Sequence, residues 1–541
     1  MEIASELATV NAELWAFVPP VVAIIAVFIL QDVIASLLIG VIAGAVIYAA
    51  SLHAGVVGFL QLFFAAIFDS AGQNIPLITF MLVLGAIVSV ITLTGGHFAY
   101  GRLIEKKMKT VRGVSLATVA LGILVFIDDY FSCLLVGAVM GPTADRYKMS
   151  REKLAYFIDS TAAPICILAP VSSWAMTITH TVESAGIENG LMTFIRSAPY
   201  NFYAIFALLF VFYTAIFRKD FSYMRRCEAK SADASHADVE QENPVRQKER
   251  RELWHENKRQ ECGKNGNVLD LILPNITVII LILLSIAALG GFFGPEKISL
   301  MEAYTRADTA LAINFGCFGA FVVCFLLYVP RKLLSVGRFF EGAVEGMKSM
   351  FTAVLILVLA WSLSTITTTF LGAETFVELL MADSQGSINL ALLPAVIFIF
   401  SAVVAFGLGS WGTFLVTIPF IAIIARATDI SMFHLFLAAT LAGSVLGDHA
   451  SPITDTTILS SVSARCNHIS HVKSQLPYAL LVCFGSVGAF LVSGFLWQSG
   501  GKSKPVLIIC YGVGLALMAV VLLAIYRIPQ HSRKKEEKHT N

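Results

Sequence analysis

Charge is scarce in this chain of 541 residues: Lys, Arg, Asp and Glu make up 14% of it, against about 25% in soluble domains. The net charge is +1, so neither a basic face for nucleic acid nor an acidic tail is expected. Nine cysteines, at positions 133, 166, 227, 262, 317, 324, 466, 483 and 510, form no CxxC pair. That disfavours a disulfide framework or a metal site and leaves them as apolar fillers or cytosolic thiols. No GxxxxGK[ST] loop is present, which disfavours an ATP-driven pump. The amino-terminal MEIASELATVNAELW carries no basic stretch ahead of its apolar run, so no cleavable signal peptide is expected.

Apolar residues are abundant instead. They make up 57% of the chain, and mean hydropathy is +0.77. Fourteen apolar runs recur between residues 14 and 527, several of them about 20 residues long, the length that spans a hydrocarbon core. The runs 113–143 and 388–425 are each long enough for two crossings or a re-entrant hairpin, so roughly 12 to 14 helical segments are expected. Lys and Arg gather in 102–112, 146–153, 218–264, 331–348 and the tail after Arg527, which places those loops in the cytoplasm. The polar stretch 218–267 reads as a solvated, partly helical linker. It divides the chain into a membrane half 1–217 and a second half 268–528, followed by a charged cytoplasmic tail 529–541.

Two segments look like distant copies. Ala162, Pro164, Ile165, Ser172 and Ser173 recur 288 residues later as Ala450, Pro452, Ile453, Ser460 and Ser461. Both copies place carboxylates, hydroxyls and a proline inside membrane-length apolar sequence. A lipid-exposed helix excludes that combination, because an unpaired polar group in hydrocarbon costs several kcal/mol and proline removes a backbone bond. Pro164 and Pro452 are therefore the expected helix breaks. The loop 144–153 is basic while its counterpart 426–431 is almost neutral, so the two copies are expected to point in opposite directions through the membrane. Such inverted, broken segments point to the substrate site of a secondary carrier.

Four polar clusters lie at membrane depth. In FIDDYFSC, Asp128 and Asp129 cannot both stay charged and unpaired in hydrocarbon. One can cap a half-helix, which leaves its neighbour over as a proton carrier. Asp159, Ser160 and Thr161 ahead of Pro164 offer carboxylate and hydroxyl oxygens that suit either local capping or a hard cation such as sodium. In GDHASPITDTT, Asp448 and Asp455 are seven residues apart and converge if Pro452 breaks the helix between them. Ser451, Thr454 and Thr456 add oxygens, and His449 is either a proton-handling residue or a structural donor. The fourth cluster, FGLGSWGT, lies 280 residues after FIDDYFSC. Its glycines permit a tight turn, with Ser410 and Thr413 as candidate ligands.

The FIDDYF segment, MSREKLAYFIDSTAAPICILAPVSSW and above all GDHASPITDTTILSS resemble the NhaC-type sodium/proton antiporter family of the ion transporter superfamily, over roughly residues 15 to 500. Family members usually read GDHCSPISDTT at the last motif, from which Ala450 and Thr454 depart while the oxygen ligands stay in place. The resemblance implies an all-α polytopic membrane protein with two inverted-topology repeats, re-entrant hairpins and Pro-broken transmembrane helices, in a bacterial inner membrane. The family also includes exchangers of organic acids and carriers of amino acids.

The expectation is a secondary carrier, not an enzyme, exchanging sodium for protons by alternating access, with no cofactor and with the bilayer as its partner. Sodium would bind at Asp159, Asp448 and Asp455, and protons at Asp128, Asp129, Asp448, His449 and Asp455. A sodium-coupled carrier of a small carboxylate or amino acid is the alternative, and a homodimer is left open. An intramembrane aspartyl protease is disfavoured, because the order here is Asp129-Tyr130 and the second motif reads SVLGD in place of GxGD. Inverted broken repeats favour a carrier over a channel.

Overall fold

Short polar side chains punctuate the apolar runs. Asp32 accepts from the Ala35 amide at 2.7 Å, Thr110 from Gly113 at 3.1 Å, Ser150 from Lys153 at 3.1 Å and Ser335 from Arg338 at 3.2 Å. Each satisfies an amide that the first helical turn leaves without a partner. The computed structural model describes residues 7–30, 32–233, 266–295, 298–299, 302–303, 306–373, 375, 389–452, 454–498 and 504–527. Among them eleven helices are long and apolar enough to cross a membrane, and no strand occurs. The protein is an all-α, multi-pass membrane protein.

Its outer faces are apolar, as a lipid solvent requires: Val56 is 73% exposed and Ile508 71%. Polar side chains collect inside. On the periphery, Ile75–Leu93 and Val336–Ser349 cross where Gly85 and Gly346 meet backbone to backbone, so that a Cβ on either would strike the other's carbonyl. Small residues at a crossing are how membrane helices approach closely enough to gain dispersion contacts.

The centre is built from two units of the same order. In the first, Val111–Leu124 leads through residues 125–128 into Asp129–Arg146, and a short link leads into Arg151–Cys166. Gly122 packs on Thr161, and the Cys166 thiol donates to the Phe126 carbonyl at 3.1 Å. The first arm therefore runs alongside Arg151–Cys166, and the second returns against it. After a six-residue break, 167–172, the chain resumes as Ser173–Ser184, whose first amide bonds the Ile127 carbonyl at 2.8 Å.

The second unit repeats this. Within Leu393–Ala427 the helical path is broken at Gly409, with φ 69° and ψ 174°. Gly443 packs on the Phe398 carbonyl, Gly447 on that of Ala402, and the Ser451 hydroxyl donates to the Phe406 carbonyl at 2.6 Å. One arm thus follows Phe433–Ala450 while the other, starting with Ser410 beside Asp448, runs back along it to the link at 428–432. The element is a helical hairpin folded at Gly409. Phe126 and Phe406 hold equivalent places, each offering its carbonyl to the adjacent broken helix. A four-residue break, 451–454, then leads into Asp455–Ser463.

The two units run in opposite senses. The Arg151 guanidinium donates to the carbonyl of Ala464 at 3.0 Å, and that of Arg426 donates to the carbonyl of Ala185. Each unit's last half-helix therefore ends beside the start of the other unit's broken helix.

Two expectations are corrected. Pro164 does not mark its break: it lies inside Arg151–Cys166, and the chain leaves the helix only after Cys166. Pro452 does lie in its break. The helices before the breaks end at 166 and 450, and those after begin at 173 and 455, offsets of 284 and 282. The breaks differ in length by two residues, so no single offset aligns both sides, and 288 aligns neither. Second, the start of the polar insert is packed rather than solvated. Phe221, Met224 and Cys227 are buried, Glu228 accepts from the Ser150 amide at 2.8 Å, and Asp220 pairs with the buried Lys153. The rest of the insert, 234–265, and the tail 529–541 lie outside the described residues.

Candidate functional site

Both breaks and both hairpin turns meet in the middle of the molecule. Three helix amino ends converge there: Asp129–Arg146, capped by Asp128; the second hairpin arm, beginning at Ser410; and Asp455–Ser463, with Thr454 at its cap position. Each amino end carries about half a positive charge, which lets carboxylates sit among them at membrane depth. A cavity lies between them, lined by Tyr130, Ser410, Asp448, Thr454, Asp455 and Thr456, by the Gly407–Gly412 turn, and by Val33 and Ile356. About 20 Å³ of it admits the centre of a water-sized sphere, room for one such species.

The cavity's polar groups are held by short bonds. The Ser410 hydroxyl donates to Asp448 Oδ2 at 2.8 Å, and Tyr130 donates to Asp455 Oδ2 at 3.1 Å. Thr454 and Thr457 both donate to the Asp448 backbone carbonyl at 2.9 Å, closing the end of Phe433–Ala450. The Thr456 hydroxyl has no partner among the described residues. No Lys or Arg lines the cavity among the described residues. Trp174 and Trp411, with ring centroids 5.7 Å apart, and Phe414 at 5.4 Å from Trp174 form an aromatic wall between the turn at Gly409 and the start of Ser173–Ser184.

Of the residues singled out in the sequence, Ser410, Asp448, Thr454, Asp455 and Thr456 line this cavity, and the break around Pro452 brings Asp448 and Asp455 together as expected from their spacing. The others stand around it. Asp128 is a cap, accepting from the Phe131 amide at 2.9 Å. Asp129 is fully buried, and neither of its oxygens has a hydrogen-bond partner among the described residues. The Thr161 and Thr413 hydroxyls donate to the Phe157 and Gly409 carbonyls at 2.7 Å and that of Ser451 to the Phe406 carbonyl at 2.6 Å, and none of the three lines the cavity. Ser160 is buried on Arg151–Cys166, and the carbonyl it carries is freed by Pro164. His449 meets the Tyr203 hydroxyl at 3.1 Å through Nδ1.

Asp159 lies behind the cavity, fully buried, in a cluster of its own. Gln475 donates to its Oδ2 at 2.5 Å, His471 Nε2 stands 3.5 Å from the same atom, and the Thr457 hydroxyl 3.4 Å. Tyr130, His471 and Gln475 were not singled out in the sequence. Tyr130 entered the sequence reading only through its place after Asp129. His471 and Gln475 lie in a long apolar helix, His468–Gln498, where no local pattern announces their partners.

A family model described as the Na+/H+ antiporter family matches residues 165–495. An uncharacterized protein of Haemophilus influenzae is 31% identical over 510 residues, covering 91% of this chain and 93% of that protein. The malate-2H+/Na+-lactate antiporter of Bacillus subtilis is 27% identical over 236 residues, 43% of this chain and 46% of that one. Among solved structures, Neisseria gonorrhoeae MtrF, from a class described as antimetabolite efflux pumps, is 13% identical, with 81% of this chain and 84% of that chain covered and a TM-score of 0.47.

Proposed function

The chain belongs to the Na+/H+ antiporter family, and from that premise we propose that it exchanges sodium for protons across a bacterial cytoplasmic membrane at the cavity Asp448 and Asp455 share. The observation that carries this reading is a small cavity lined by two carboxylates and four hydroxyl-bearing side chains, Tyr130 among them, with no basic side chain among its described lining residues. Dehydrated sodium takes hard oxygen ligands, and the carboxylates of Asp448 and Asp455 with the hydroxyls of Ser410, Thr454 and Thr456 supply them. The same carboxylates take up protons when sodium leaves. Because one set of oxygens serves both cations, binding of one displaces the other, and exchange follows. Two units in opposite senses around a single cavity suit alternating exposure of that cavity to the two sides. More than one proton per sodium would make each cycle electrogenic, worth ~2.3 kcal/mol per charge per 100 mV.

A second reading has its own support. Three helix amino ends at the cavity favour an anion as well, and the Bacillus relative is named for malate and lactate. In that reading sodium and protons drive the exchange of small carboxylates.

Purified protein in liposomes holding a pH-sensitive dye separates the two. Proton movement on adding sodium, without organic solute, is the expected result. Movement only when lactate, malate or an amino acid accompanies sodium would transfer the assignment to the second reading.

A further inference from the structure

Gln475 sits on His468–Gln498, outside both broken helices, and is 1% exposed. Its single amide nitrogen donates to Asp159 Oδ2 at 2.5 Å and to the His449 backbone carbonyl at 3.0 Å. Asp159 belongs to the first broken helix and His449 to the last turn of the second. One NH2 group thus ties the two inverted units together, just behind the cavity. An amide is suited to this task. It presents two hydrogens from one atom without introducing a charge, whereas a carboxylate has none and an ammonium would add a cation beside Asp159. His471, one turn earlier on the same face, continues the contact: its Nε2 stands 3.1 Å from the Ser460 hydroxyl of the second unit's half-helix. The same helix therefore holds Asp159 on one unit and His449 and Ser460 on the other.

We propose that Gln475 is a positioning residue that locks the two broken helices into one moving body, so that the cavity is carried intact from one face of the membrane to the other. It lines no part of the cavity. Its loss therefore leaves cation binding as it was and slows the change of exposure, because the units no longer move in step. This inference rests on the exchange reading for its assay but not for its geometry.

The test is sodium-driven proton movement in liposomes by wild type, Gln475→Met, which keeps length and volume without a donor, and Gln475→Asn, which keeps the amide one methylene short of reaching both partners. Rates are expressed per monodisperse, folded protein. The expected result is a maximal rate at least about tenfold lower in both variants, ~1.4 kcal/mol on the barrier, with KM for sodium within about twofold of wild type. Hydrogen exchange is expected to quicken in both variants over 447–463, where the His449 carbonyl would lose its partner. A wild-type rate in Gln475→Met overturns the proposal. So does a KM that rises in step with the fall in rate, which would make Gln475 a cation ligand. Unchanged exchange over 447–463 overturns it even if the variants are too unstable for transport. Silence of the wild-type protein towards sodium would instead strike at the exchange reading, and the hydrogen-exchange comparison would still decide the role of Gln475.

Discussion

At Asp448 two demands meet: its side chain lines the cavity and its backbone carbonyl closes the helix that ends there. Asp448→Asn keeps the shape and removes the charge. Sodium-driven proton movement is expected to fall about a hundredfold or more, the scale on which a proton-transferring group acts, while the protein stays folded and inserted. Ser410→Ala removes one bond to that carboxylate, a loss of about 1.5–3 kcal/mol for a charged acceptor. A rise of about tenfold or more in KM for sodium is the expected outcome, measured by titrating sodium against dye response. The acids were legible because carboxylates inside apolar runs demand a reason. Their partners were not: Tyr130 lies 325 residues from Asp455, and Gln475 lies 316 from Asp159, so only the folded chain brings them together. Nor could sequence separate Asp159 from Asp448, since capping, core networks and ion sites use the same oxygens.

At the scale of elements, the second hairpin depends on one residue. Gly409 holds φ 69° and ψ 174°, a region that only glycine enters readily. Gly409→Ala is expected to lower stability by about 1–3 kcal/mol, seen as a lower midpoint of thermal unfolding in detergent, and to reduce transport. The Lys153–Asp220 pair pins the start of the insert to the first broken helix, with Tyr478 donating to Asp220 at 2.7 Å. Both charged side chains are nearly buried. Asp220→Ala leaves a buried lysine alone, so a loss of about 3–5 kcal/mol is expected, whereas a solvated linker would show almost none. The glycine turn could be anticipated from FGLGSWGT. The insert's docked start could not, because its few apolar anchors, Phe221, Met224 and Cys227, are diluted among charges. The repeat was misread in register, because breaks of unequal length defeat a fixed offset.

At the scale of the whole molecule, composition alone foretold a helical membrane protein, since no other environment accepts so much outward apolar surface. The expectation that the two copies point in opposite senses rested on the uneven distribution of basic residues, a long-range property that survives weak local similarity. What sequence could not supply was the size of the central space. That space exists only once the hairpins and broken helices are packed.

The central claim is that sodium and protons compete for one set of oxygens. Uptake of labelled sodium into proteoliposomes, measured over a range of sodium concentrations at several external pH values with the outward proton gradient held constant, tests it directly. KM for sodium is expected to rise with external proton concentration while the maximal rate stays the same. A maximal rate that falls with acidity at constant KM would contradict it, because protons would then act at a site of their own.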